Sequence, residues 1–143
     1  MTPSARTQAG IEILDEVIAA ARDDGPPADA IVQRYFKTRR YAGSKDRRAV
    51  RELVYRAIRR AGERPDSGRA AMLGLAEDNH EIAFDIAGHG AAPRGPGELA
   101  ALSSHLPAWV EAELSAHVSR YEWPALLDRA PLDLRVNIAK ADR

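Results

Sequence analysis

Residues 39–61 constrain this chain most, because their apolar and basic positions separate onto two faces of one helix. The segment reads RRYAGSKDRRAVRELVYRAIRRA. From about Asp46 onward, apolar residues recur at three- and four-residue steps, the spacing of a buried helical stripe. The stripe comprises Val50, Leu53, Val54, Ala57, Ile58 and Ala61. The segment therefore predicts an amphipathic helix, with Ser44 as its N-cap and Gly62 at its end.

The opposite face of this helix is basic. It carries Arg48, Arg51, Arg56 and Arg59, with Glu52 as its only acid, and Arg47 and Arg60 lie at the edges of the stripe. Residues 31–70 contain 13 Lys and Arg against 4 Asp and Glu, although the whole chain has 21 of each. A basic patch concentrated within a neutral chain is typical of proteins that bind nucleic-acid phosphates. A solvated helix face without a specific partner is the alternative.

Length and composition exclude several classes of protein. A chain of 143 residues fits one domain, with room for a piece of a second. It has no Cys, which excludes disulfides, thiolate metal sites and a cysteine nucleophile. No stretch has the 18 or so apolar residues of a membrane span, and the N-terminus does not resemble a signal peptide. We expect a soluble, cytoplasmic protein without membrane contact.

Helical periodicity extends over most of the chain. Helices are predicted over 4–22 with Ser4 as a candidate cap, over 27–38, from Asp46 to Gly62, and over 68–79. Residues 81–87 fit a helical turn or a strand, and 88–98 are predicted to be an irregular, mobile loop. A helix signal returns at residue 99, with starts at Pro107 and Pro124, and Trp109 and Trp123 are expected to pack. Gly10 either permits close helix packing or is merely tolerated.

The last part of the chain has a different period. In LDLRVNI, residues 132–138, apolar and polar positions alternate, which predicts a half-buried strand. A single strand cannot satisfy its own backbone hydrogen bonds. We therefore expect one helical domain over 1–130 and the first strand of an incomplete second domain over 131–143.

Motifs that carry chemistry are missing from the sequence. His80, His89, His105 and His117 do not have metal-ligand spacing, and GHGAAPRGPG does not fit a phosphate-cradling loop. The residues by themselves therefore predict no catalytic, metal or cofactor site.

Four segments together resemble one family. They are ART…GIEILDEVI, YFKTRRYAGSKDRRAVRELVYRAIRR, LPAWVEAEL and PLDLRVNIAKADR. In this order they are similar to the N-terminal region of the RsmB (Fmu/Sun) group of RNA cytosine-5 methyltransferases. Residues 77–98 match poorly.

The resemblance implies an all-α, NusB-like helical bundle that binds ribosomal RNA, followed by the first strand of a truncated α+β subdomain. With the basic face, it gives nine candidate RNA-binding residues: Arg39, Arg40, Lys45, Arg47, Arg48, Arg51, Arg56, Arg59 and Arg60. Asp46 is expected to form an ion pair that fixes the preceding turn. For Arg47, such a structural role and phosphate contact both remain open.

The chain departs from the family in its chemistry. The family uses two cysteines and binds S-adenosylmethionine in a Rossmann-like domain, and this chain has neither the cysteines nor the glycine motif of the cofactor site. We therefore expect no cofactor here and no methyl transfer by this chain alone, with S-adenosylmethionine bound only in a missing catalytic domain. The alternatives are a NusB-like protein interaction module and a bundle that docks on its own catalytic domain.

Overall fold

The computed structural model describes residues 1–79, 82–85 and 89–127. Within these ranges the chain is all-α, as predicted, with six helices and no strand. The helices are α1 (Pro3–Arg22), α2 (Ala28–Thr38), α3 (Ser44–Ala61), α4 (Gly68–Asp78), α5 (Ala108–Glu113) and α6 (Trp123–Leu127). The predicted strand at 132–138 and the expected domain boundary at residue 130 lie outside the described residues.

The first four helices match the predicted ones closely, but two of their caps differ. Thr2 caps α1, because its Oγ1 accepts a hydrogen bond from the amide of Ala5 at 3.1 Å. Ser4 lies inside the helix and is buried. Gly43, not Ser44, precedes the first turn of α3. Gly62 ends α3 with a φ of 59°, a left-handed conformation that glycine adopts without strain.

The core forms around α1, which packs against α2, α3 and α4, while α3 also packs against α4. The largest fully buried side chains are Ile13, Leu14, Ile31, Met72, Val32, Val50, Val54 and Thr7. The apolar stripe of α3 is confirmed in its main part, since Ala57 and Ala61 are buried as well. Ile58 was wrongly included in it. This residue is 37% exposed, since it lies at the edge of the stripe that faces α1 and α4.

Two glycines lie where α1 and α4 approach each other closely. A Cβ atom on Gly10 would lie 2.6 Å from Cε of the buried Met72, so packing is close here, although that atom is the movable end of a flexible side chain. At the start of α4, a Cβ on Gly68 would collide with the Ile11 carbonyl oxygen and lie 2.8 Å from the Asp15 amide nitrogen. The Gly68 amide donates a hydrogen bond to the Asp15 carboxylate at 2.6 Å.

The loop before residue 99 is irregular in its described part, as predicted, but α4 holds its second half in place. The guanidinium of Arg69 forms a two-point ion pair with Glu98 and donates to the carbonyl oxygens of Ala92 and Pro93. The Arg69 hydrogen bonds, followed by one from the Gly95 amide, lower the pKa of Glu98 to about 2. This part of the loop is therefore tied to the bundle by charge-assisted hydrogen bonds.

The helix expected from residue 99 is absent up to Pro107, because residues 99–107 are irregular and form hydrogen bonds to α3 and α4. The amide of Ala101 donates to the carbonyl of Ala70 at 2.9 Å, and that of Ser104 donates to the carbonyl of Arg60 at 3.0 Å. The helix after Pro107 is only six residues long. Trp109 is 72% exposed there, so the expectation that it packs was wrong. Trp123 is buried, as expected.

Among the described residues, none of the helices combines the length and the apolar character that crossing a membrane would require.

The contact between Gly68 and α1 gives a first prediction. We expect Gly68→Ala to lower the free energy of unfolding by about 2–3 kcal/mol, because backbone atoms of Ile11 and Asp15 block the new methyl group and cannot rotate away. Urea denaturation measures the loss. Gly95→Ala is the matched control, since its added Cβ would meet nothing closer than 3.9 Å. Equal stability of the two variants would contradict the packing described for α1 and α4.

Candidate nucleic-acid interface

Four of the predicted cations form an exposed group, here called the basic row: Arg40, Lys45, Arg48 and Arg51. The last three follow one another at three-residue steps on α3, so they share its outer face, and Arg40 lies in the turn that leads into the helix. All four side chains are exposed. None of them pairs with a carboxylate in the part of the chain that the structure describes. The basic row is therefore an uncompensated positive surface.

Asp46 lies within this stretch of α3, but its charge is neutralised from another direction. Its carboxylate accepts hydrogen bonds from Arg6 Nε at 2.9 Å and from the Met1 amino group at 3.2 Å. Arg6, and after it the amino group, lowers the pKa of Asp46 below its ordinary value. Asp46 does form an ion pair, but its partners are Arg6 and the Met1 amino group. The pair therefore joins the start of α3 to the start of α1 and does not fix the preceding turn as expected.

Arg47 has the structural role that the sequence left open. Its Nε donates a hydrogen bond to the Ala42 carbonyl at 2.8 Å, and its guanidinium carbon lies 5.8 Å from the centre of the Phe36 ring. These contacts fix the turn between α2 and α3. Arg47 is therefore engaged in internal contacts and does not belong to the basic row.

Arg60 and Arg39 are also occupied by internal contacts. The Arg60 side chain is only 11% exposed, forms ion pairs with Asp78 at 2.5 Å and Glu77 at 3.7 Å, and donates to the Ala101 carbonyl at 2.7 Å. It holds the 99–107 segment against the bundle. Arg39 lies 3.6 Å above the Tyr35 ring and 3.3 Å from a Glu12 carboxylate oxygen.

The remaining two candidates are intermediate cases. Arg59 lies 3.7 Å from Glu52, and because both side chains are well exposed this pair holds the arginine only weakly. Arg56 is half-buried and lines a shallow groove of about 230 Å³ with Arg6 and Leu53. Both can supplement the basic row without defining it.

A cavity that the sequence did not predict opens between α1 and α2. Its volume is about 610 Å³, within the range of small-molecule pockets. Gln8 and Glu12 of α1, Tyr35 and Arg39 of α2, and Tyr41 of the following turn line it, above an apolar floor that includes Ala5 and Ala9. Arg40, the first member of the basic row, lies between Arg39 and Tyr41 in the chain.

A hydrogen-bond network orders one wall of this cavity. The Glu12 carboxylate accepts from the Tyr35 hydroxyl at 2.7 Å, from Arg39 at 3.3 Å and, on its other oxygen, from the Gln8 amide at 3.2 Å. Burial, and then the hydrogen bond to Glu12, raises the pKa of Tyr35. The Tyr35 hydroxyl therefore stays protonated and donates its hydrogen bond to Glu12.

Tyr41 is the residue that sequence reasoning missed. Its side chain is 73% exposed although it is aromatic, and it stands next to two arginines in the chain. An aromatic residue placed among cations is a common arrangement in proteins that bind single-stranded nucleic acid. The signal that could have identified it is in the sequence, where Tyr41 directly follows Arg39 and Arg40.

Comparisons with protein-family models, with curated proteins and with solved structures gave no match. Within the described residues, no group of three or more His, Asp or Glu side chains is placed to hold a metal ion. The basic row and the cavity are therefore the features from which a function is inferred.

The ion pair of Asp46 gives a prediction about pH. Because the pKa of Asp46 is lowered in the folded state, its contribution to stability is complete above the unfolded value of about 3.9 and is lost as the pH falls through the folded value. We expect Asp46→Asn to be less stable than the wild type at pH 7, with the difference shrinking below about pH 4. Thermal unfolding across pH 2–7 measures it. Asp66→Asn, at an exposed acid, should show no such dependence, and a pH-independent deficit in Asp46→Asn would refute the ion-pair explanation.

Proposed function

We propose that this chain is an RNA-binding module, the NusB-like N-terminal region of an RNA cytosine-5 methyltransferase of the RsmB (Fmu/Sun) kind. The observation that carries the proposal is the basic row, four exposed cations on α3 and the turn before it with no carboxylate partner among residues 1–79, 82–85 and 89–127. The resemblance of the sequence supplies the enzyme class and points to ribosomal RNA. We place the protein in the cytoplasm, with its RNA.

The charges on this surface suit positioning of RNA more than base recognition. Lys and Arg side chains on an exposed helix face contact phosphates, which provides affinity and orientation but little sequence information. Enzymes of this family methylate cytosine at C5 through a cysteine thiolate that attacks the base, and this chain has no Cys. In this proposal, chemistry and S-adenosylmethionine binding belong to a catalytic domain of the same enzyme, and the module delivers RNA to it.

The salt dependence of binding tests this function. If the four cations of the basic row contact single-stranded RNA, the slope of log K against log salt should be about −3. Arg48→Ala/Arg51→Ala should reduce the slope to about −1.5 and weaken binding roughly tenfold or more near 0.1 M salt. Fluorescence anisotropy with a labelled single-stranded RNA measures both values.

The control for this experiment removes the same charge elsewhere. Arg22→Ala/Arg64→Ala neutralises two exposed arginines outside the basic row and should leave the slope near its wild-type value. Circular dichroism should show unchanged helix content in both double variants, since none of the four side chains is buried. A flat wild-type salt dependence, or equal losses in the two double variants, would refute the proposed function.

One observation favours protein docking as a second candidate. Several large apolar side chains between residues 99 and 126 are exposed: Leu99 at 80%, Leu102 at 86%, Trp109 at 72% and Tyr121 at 97%. Exposed apolar surface often marks contact with another protein or domain. A partner retained on the protein from lysate after nuclease treatment, and lost in Leu102→Ser/Trp109→Ser, would support docking. Loss of all partners on nuclease treatment would count against it.

A further inference from the structure

The cavity between α1 and α2 suits a planar ligand better than an anion. The Glu12 carboxylate is part of its wall and would repel a phosphate. The lining also includes two cations that carboxylates already pair, Arg39 with Glu12 and the Met1 amino group with Asp46. The rest of it comprises His89 and the aromatic, amide or apolar side chains of Tyr41, Tyr35, Gln8, Ala5 and Ala9. A neutral, flat group with hydrogen-bonding edges fits this lining, and the volume of about 610 Å³ is ample for one nucleobase.

Two flat groups at the cavity, the Tyr41 ring and the Arg39 guanidinium, favour stacking. Tyr41 presents a largely exposed aromatic ring at the cavity. The guanidinium of Arg39 is held 3.6 Å above the Tyr35 ring and is fixed at its end by Glu12, so its planar group is already ordered. Unstacked bases of single-stranded RNA bind to such aromatic rings and guanidinium planes.

The residues that line the cavity adjoin the basic row in the chain. Arg40 follows Arg39 directly and precedes Tyr41, and Lys45 begins the cationic face of α3 four residues later. A strand of RNA whose phosphates lie on the basic row therefore passes the mouth of the cavity within a few nucleotides. In this arrangement the base lies against the wall that contains Glu12, and the phosphates lie on the basic row.

We propose that this cavity receives one unstacked base of single-stranded RNA, with Tyr41 as its stacking platform and the basic row holding the neighbouring phosphates. The inference rests on the proposed function and adds to it a contact with the bases. It assigns Tyr41 and the 610 Å³ cavity to RNA binding, and it means that double-stranded RNA, whose bases are stacked and paired, binds more weakly than a single strand of equal length.

The test compares two ligands with the same number of phosphates. One is a single-stranded RNA of about ten nucleotides, and the other is the same ribose-phosphate chain without bases. We expect the wild type to bind the base-bearing strand about tenfold more tightly. Tyr41→Ala should lose that preference while its affinity for the baseless chain stays unchanged. Tyr41→Phe, which keeps the ring, should bind like the wild type.

A second variant tests the cavity itself. Ala5→Leu retains a good helix former and fills space in the cavity, so it should weaken binding of the base-bearing strand and leave binding of the baseless chain intact. Thermal unfolding checks that both variants fold.

The outcomes separate this inference from the proposed function. Equal wild-type affinity for the two ligands, or equal effects of Tyr41→Ala and Ala5→Leu on both, would overturn base insertion. The RNA-binding function would still stand if Arg48→Ala/Arg51→Ala weakened binding. If the wild type bound neither ligand, both proposals would fall.

Discussion

The packing of one face of α3 against α1 and α4 is the contact on which the rest of the structure depends. Val50 and Val54 on that face are fully buried. Turning the helix to hide its cations would expose such side chains at a cost of about 1.5–3 kcal/mol each. The core therefore fixes the rotation of α3, and Lys45, Arg48 and Arg51 point outward because of the apolar residues beside them. A positive surface is thus a consequence of how the bundle packs.

The chain has equal numbers of acidic and basic residues. It acquires this positive surface because the arginines that pair with acids lie outside the basic row. Asp46 forms an ion pair with Arg6, Asp78 with Arg60 and Glu98 with Arg69, and each pair joins separate parts of the fold. Such hydrogen-bonded pairs fix geometry, and the lowered pKa values of these three carboxyl groups reflect the same contacts. These three acids are therefore engaged in contacts that hold the bundle together, and none of them pairs with a cation of the basic row.

Local periodicity was enough to predict the first four helices and the buried stripe, because both depend on spacings of three and four residues. Periodicity could not predict which arginines would form internal ion pairs and hydrogen bonds. Arg60 meets Asp78 and Ala101, which are 18 and 41 residues away in the chain, and those contacts exist only after folding. The same limit explains the failure over residues 99–107, where backbone hydrogen bonds to α3 and α4 override a helical pattern. The cavity beside Tyr41 requires α1 and α2 to be placed together.

In the proposed function, RNA binds the outer face of α3 and the turn before it. An NMR titration of the isotope-labelled protein with single-stranded RNA locates the binding surface, since each backbone amide reports its own surroundings. We predict that the largest shifts lie between Arg39 and Arg51, with smaller ones at Gln8 and Glu12 and almost none in α6. Shifts confined to residues 99–127, or no shifts at RNA concentrations that saturate binding, would show that RNA does not bind this surface.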